Sequence, residues 1–110
     1  MPSERQEEPE KEGVQRVVTR RQLRQYRWRE HASLSPRDYW GPRYEVWLDS
    51  GLQAILVRYA LARKEKRDGS PRWSPEGTLL RWFQQAEEAV DELVKLAKED
   101  RRAWLAQFQK

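Results

Sequence analysis

Residues 42–63 read PRYEVWLDSGLQAILVRYALAR, and the reading of this stretch decides the fold. Leu48, Leu52, Ile55, Tyr59 and Ala62 recur at alternating steps of four and three, the spacing that lines up one stripe of an α-helix. Tyr44, Trp47 and Leu56 widen that stripe, so the spacing predicts a helix with a buried face. Its end is marked by Arg63-Lys64-Glu65-Lys66-Arg67-Asp68-Gly69, with cations where carbonyl dipoles favour them and a glycine able to take the left-handed stop. Inside it, Asp49-Ser50-Gly51 is either a kink or a break, because glycine costs about 1 kcal/mol in a helix interior.

Working toward the C-terminus, Ser74-Pro75-Glu76-Gly77 has the form of an N-cap with proline at the first helical position. Leu79, Phe83, Ala86, Val90, Leu93 and Ala97 follow at heptad-like spacing, and Trp104 and Phe108 resume after a slip at Asp100-Arg101. An unbroken helix from Pro75 to Gln109 would be about 50 Å long, so a bend near Glu99-Asp100 is expected. Glu87, Glu88, Asp91 and Glu92 precede Lys95, Lys98, Arg101 and Arg102, an order that complements the helix dipole and offers Asp91 to Lys95 as an ion pair.

Toward the N-terminus, Thr19-Arg20-Arg21-Gln22 is a capping box, and it predicts a helix over about residues 20–31. Residues 14–18 are a short strand or an extended lead-in. Ser35-Pro36-Arg37-Asp38 is a further start signal, interrupted by Gly41-Pro42. With no strict apolar and polar alternation, the expected fold is all-α, a small helical bundle with a long C-terminal helix. Residues 14–110 form its single helical domain, and residues 1–13, acidic and without aromatic side chains, are expected to be a flexible leader.

At 110 residues the chain supports one domain and excludes large catalytic architectures. Without cysteine there is no disulfide, thiolate metal site or sulfur nucleophile, which suits a reducing, cytoplasmic setting. No apolar run is long enough to span a bilayer, so no membrane role is expected. His31, the one imidazole, has no nucleophile partner, and the acids at 87, 88, 91 and 92 lack the Glu-Xaa-Xaa-His pattern of helical di-iron sites. The glycines are isolated, so no phosphate loop occurs. The expectation is a protein that is not an enzyme and has neither cofactor nor metal.

Charge is distributed in blocks. Between residues 14 and 30, Arg16, Arg20, Arg21, Arg24, Arg27 and Arg29 face Glu30 alone. Arg20, Arg21, Arg24 and Arg27 are expected to form one cationic stripe for phosphates, with Trp28 placed to stack on a base. Arg58, Arg63, Lys64, Lys66 and Arg67 extend the same track. The alternative for the stripe is an amphipathic helix whose arginines keep it soluble. Six tryptophans exceed what so small a core requires, and Trp28, Trp40 and Trp73 lie in polar or loop settings, which makes Trp40 and Trp73 candidates for a protein partner.

One segment carries a resemblance. Pro42 to Leu56, with Asp49-Ser50-Gly51-Leu52 at its centre and Ala62-Arg63-Lys64 closing it, resembles the signature helix pair of the small subunit of type III CRISPR effector complexes. Ser50 stands where that family usually has asparagine, and Leu79-Leu80-Arg81-Trp82-Phe83 stands where it has a Trp-Leu turn. The resemblance implies a non-catalytic helical subunit that stacks head to tail along a ribonucleoprotein and lines the strand channel with basic side chains. The expected function is thus an RNA-contacting, or single-stranded nucleic-acid-binding, component of a larger complex, with self-association possible. The alternative is a protein-interaction factor of phage or plasmid type that docks through exposed Trp and Arg.

Overall fold

The computed structural model describes residues 16–63 and 70–109. The expected leader at 1–13 and the cations Lys64 and Arg67 lie outside them, as does the side chain of Arg63. The all-α bundle is not what forms. The chain builds β1 (Arg16–Thr19), α1 (Arg20–Gln25), β2 (Arg29–Leu34), β3 (Arg43–Leu48), β4 (Ala54–Tyr59), β5 (Leu61–Arg63), β6 (Arg72–Trp73), β7 (Glu76–Phe83) and α2 (Ala86–Ala106). Five strands make one sheet in the order β1-β7-β4-β3-β2, every neighbour antiparallel, and β5 pairs with β6 in a small ribbon.

The stretch read as a helix is the central hairpin. Trp47 lies opposite Ile55 and Arg43 opposite Tyr59, and Asp49-Ser50-Gly51 is the turn between the strands. The Asp49 side-chain oxygen accepts from the amides of Gly51 and Gln53, both at 2.9 Å, and the Leu52 amide donates to the Asp49 carbonyl at 3.0 Å. Tyr44, Val46, Trp47, Ile55, Val57 and Tyr59 are β-branched or aromatic, residues that suit a pleated surface. Alternation is missing because both faces of these strands are covered, so inward positions occur at every residue.

One face packs on α2. Tyr44, Val46, Ala54, Leu56 and Phe83 meet Ala89, Leu93 and Ala97, and the two alanines let the helix lie close to the sheet. The helix expected from Pro75 is strand up to Phe83, and α2 then runs through Glu99-Asp100 as one element. The other face holds Val18, Leu23, Trp47, Ile55, Val57, Tyr59 and Leu79, with Trp28, Trp73 and Trp82 against them. Gly77 is required here. A Cβ at this position would meet Val57 Cγ1 at 2.5 Å and the Tyr59 ring at 2.7 Å.

Candidate nucleic-acid interface

Strand order dictates where the arginines go. β1 and β2 sit at opposite edges of the sheet, yet only nine residues separate Thr19 from Arg29, so the chain crosses the whole face between them. Five strands are about 19 Å wide between edge axes. The six residues of α1 cover about 9 Å of this, and Tyr26 to Trp28 span the rest. The crossing begins at the expected capping box: Thr19 Oγ1 accepts from the Gln22 amide at 3.1 Å and Gln22 Oε1 from the Thr19 amide at 3.0 Å.

The helix is shorter than the predicted span to His31 because it stops at a left-handed residue. Arg27 has φ 68°, its amide donates to Arg24 O at 3.0 Å, and the Trp28 amide donates to Leu23 O at 2.9 Å. This is the helix-stop motif usually made with glycine, closed by the apolar pair Leu23 and Trp28. Trp28 then packs edge-on against Trp82, ring centroids 5.5 Å apart. Leu23 is the buried residue of α1, and Arg21, Arg24 and Arg27 are exposed. Arg24 lies over the Trp47 ring, 5.5 Å from its centroid, within cation–π range.

Arg20 has a different job. Its Nε and Nη2 donate to Glu45 Oε2 at 3.0 and 2.8 Å, and its guanidinium stacks 4.4 Å from the centroid of the Tyr59 ring. Arg43 Nε donates to the same oxygen at 2.9 Å, and Trp47 Nε1 donates to Glu45 Oε1 at 2.9 Å. Arg43 also donates to Ser35 Oγ and reaches Glu30 at 3.6 Å. Burial is the largest influence on Glu45 and acts to raise it, but the bonds from Arg20, Trp47 and Arg43 outweigh burial and hold its carboxyl below the usual range. Burial, then the Glu45 charge, pushes the Tyr59 hydroxyl well above the ordinary tyrosine range. Glu45 thus pins α1 to the sheet.

The structure brings Arg20, Arg21, Arg24, Arg27 and Trp28 together in one crossing, with Arg20 committed to Glu45. It does not bring the second cluster there. Arg58 pairs across the sheet with Tyr44 and Thr78 and sits on the α2 side, beside the Tyr44 hydroxyl. Arg63 belongs to the β5–β6 ribbon. Trp73 is half-buried and its Nε1 donates to Gly41 O at 2.8 Å, so it ties the β2–β3 loop to the body. Trp40, in that loop, is 36% exposed. Sequence reasoning missed Glu45, Arg43 and Tyr59. Their signal was a base, an acid and an indole at every second position, Arg43-x-Glu45-x-Trp47, in a stretch otherwise read as helix. No protein-family model, curated protein or solved structure matches this chain.

Proposed function

We propose that this chain is a non-catalytic protein that binds single-stranded nucleic acid, RNA foremost, across the α1 face of its sheet. The observation that carries the reading is the crossing itself. Arg21, Arg24 and Arg27 stand in solvent, Arg24 over the Trp47 ring, and none has an ion-pair partner among the described residues. The acids of this face, Glu45 and Glu30, already serve Arg20 and Arg43. Guanidinium groups kept from internal carboxylates are available for phosphates, and Trp28 adds a ring on which a base can stack. The nucleic-acid class is retained here without the CRISPR effector complex, because Pro42 to Leu56 forms a hairpin where that family has a helix pair.

Binding of a fluorescent single-stranded RNA tests this. Replacing Arg21, Arg24 and Arg27 together by Glu abolishes binding, while circular dichroism shows the fold intact. Trp28→Phe keeps binding within about threefold, and Trp28→Ala weakens it about tenfold or more. Undetectable binding of the unaltered chain at about 50 mM salt, where electrostatic affinity is strong, overturns the reading and directs the search to protein partners.

A further inference from the structure

Helix α2 has a face that the sheet does not use. Ala89, Leu93 and Ala97 turn toward the strands, and Glu87, Asp91, Val94, Lys98 and Arg102 recur at steps of four, three, four and four on the solvent side, all exposed. At the middle of this stripe Val94 is 36% exposed. Asp91, Lys95, Lys98, Glu99 and Arg102 rim an open trough of about 320 Å³ around it. A second trough, of about 420 Å³, continues past Lys98 and Arg102 to Leu105, Ala106 and Gln109. None of Glu87, Asp91, Lys98 and Arg102 has an ion-pair partner among the described residues, whereas the adjacent Arg101 is held by Asp38 at 2.8 Å.

The stripe reads as its own complement. In an antiparallel helix pair about a two-fold axis, positions equally far from the centre on either side face one another, and the same patch serves both partners. With the axis between Val94 and Lys95, Glu87 meets Arg102, Asp91 meets Lys98, and Val94 meets the aliphatic stem of Lys95. The two charged pairs are opposite in sign, the central Val94 meets only the methylene stem of Lys95, and the mirrored pairs double each attraction. A parallel pair would set acid against acid at one end and base against base at the other. Complementing the helix dipole explains acids before bases along a helix, but it does not require their placement at equal distances from a point between Val94 and Lys95.

We infer that the outer face of α2 is a self-association surface whose occupant is a second copy of this chain, antiparallel and two-fold related. The arrangement does not depend on nucleic-acid binding. Because α1 lies on the other face of the sheet, it leaves both α1 crossings pointing outward.

Sedimentation of the full chain from micromolar to millimolar concentration tests it. The expected result is a reversible monomer–dimer equilibrium at about 50 mM salt, weakened about tenfold near 500 mM as the pairs are screened. Asp91→Lys and Lys98→Asp each weaken association about tenfold or more, with helicity unchanged, and the double substitution restores it. A mixture of the two single variants sets opposite charges against each other again and forms a dimer that neither variant forms alone. That mixing result distinguishes a helix-pair contact from any loss of folding. A chain that stays monomeric at millimolar concentration in low salt, single variants that associate as the unaltered chain does, or a mixture that fails to associate would each overturn the inference.

Discussion

A carboxylate with no exposed surface in the middle of a β-strand is destabilising unless its oxygens are used, and Glu45 accepts from two guanidinium groups and an indole. Removing it strands those donors, so Glu45→Ala is expected to cost about 3–5 kcal/mol in urea unfolding. Its carboxyl titrates below the ordinary value of about 4.3, so the stabilisation is complete above about pH 5 and is lost as pH falls through the folded-state value. The stability gap between the unaltered chain and Glu45→Gln should therefore be constant from pH 8 to about 5 and narrow progressively as pH falls below about 4; a gap that does not narrow at all in acid contradicts this assignment. Arg27 is the second informative residue. Holding a non-glycine side chain at φ 68° costs about 1–2 kcal/mol, partly offset because glycine loses more chain entropy on folding. Arg27→Gly is thus expected to raise stability by about 0.5 kcal/mol while the salt slope of RNA binding falls by about 0.7. Opposite signs in the two measurements are the mark of strain retained for a contact with a ligand. Neither role was legible from residue type, since Glu45 falls within the stretch read as a helix over 42–63 and Arg27 within the one expected over 20–31.

At the scale of elements, one start signal opens the helix it predicts and two do not: the capping box at Thr19 begins α1, whereas Ser74-Pro75-Glu76-Gly77 leads into β7 and Ser35-Pro36 lies in the β2–β3 loop. The capping box at Thr19 and the acid-before-base order of α2 are local chemistry, and both are present in the structure. The hairpin Arg43–Tyr59 reads as helix because burial on two faces erases the two-residue period that identifies a strand, and in Glu76–Phe83 the alternation of burial is broken at Leu80, where the register with β4 shifts. Leu48, Leu52, Ile55 and Tyr59 then fall at helical spacing by coincidence. The β-branched and aromatic content of both strands was the better guide. Gly77 ties these elements to α1: its missing side chain lets the Tyr59 ring lie against β7, and Arg20 stacks on that ring. Gly77→Ala should cost about 1–3 kcal/mol through overpacking and loosen α1, which amide exchange over residues 20–25 would report as faster. In the β3–β4 turn, Leu52 holds φ 69° with its side chain 61% exposed. Leu52→Gly is therefore expected to raise the urea midpoint without altering RNA affinity, since the turn is not part of the α1 helix.

For the whole molecule, the order of strands does what no single segment reveals. Placing β1 and β2 at opposite edges forces the arginine-rich segment across one face, while α2 fills the other, so the sheet separates a cationic aromatic side from a helical side. The arginine block was evident in the sequence, but its position was not, because edge order is set by long-range pairing. No helix of the described residues is long and apolar enough to cross a membrane. If the crossing is the binding surface, affinity follows salt with a slope of about −2 for three phosphate contacts on a single strand, and each of Arg21→Ala, Arg24→Ala and Arg27→Ala reduces that slope by about 0.7. The most direct test is a chemical-shift map of the amide and indole resonances during titration with a short single-stranded RNA at about 50 mM salt. The account predicts shifts gathered on residues 20–29 and the Trp28 and Trp47 indoles, with residues 86–106 unmoved. Shifts confined to α2 or to the β5–β6 ribbon, or no shifts at all, would contradict it.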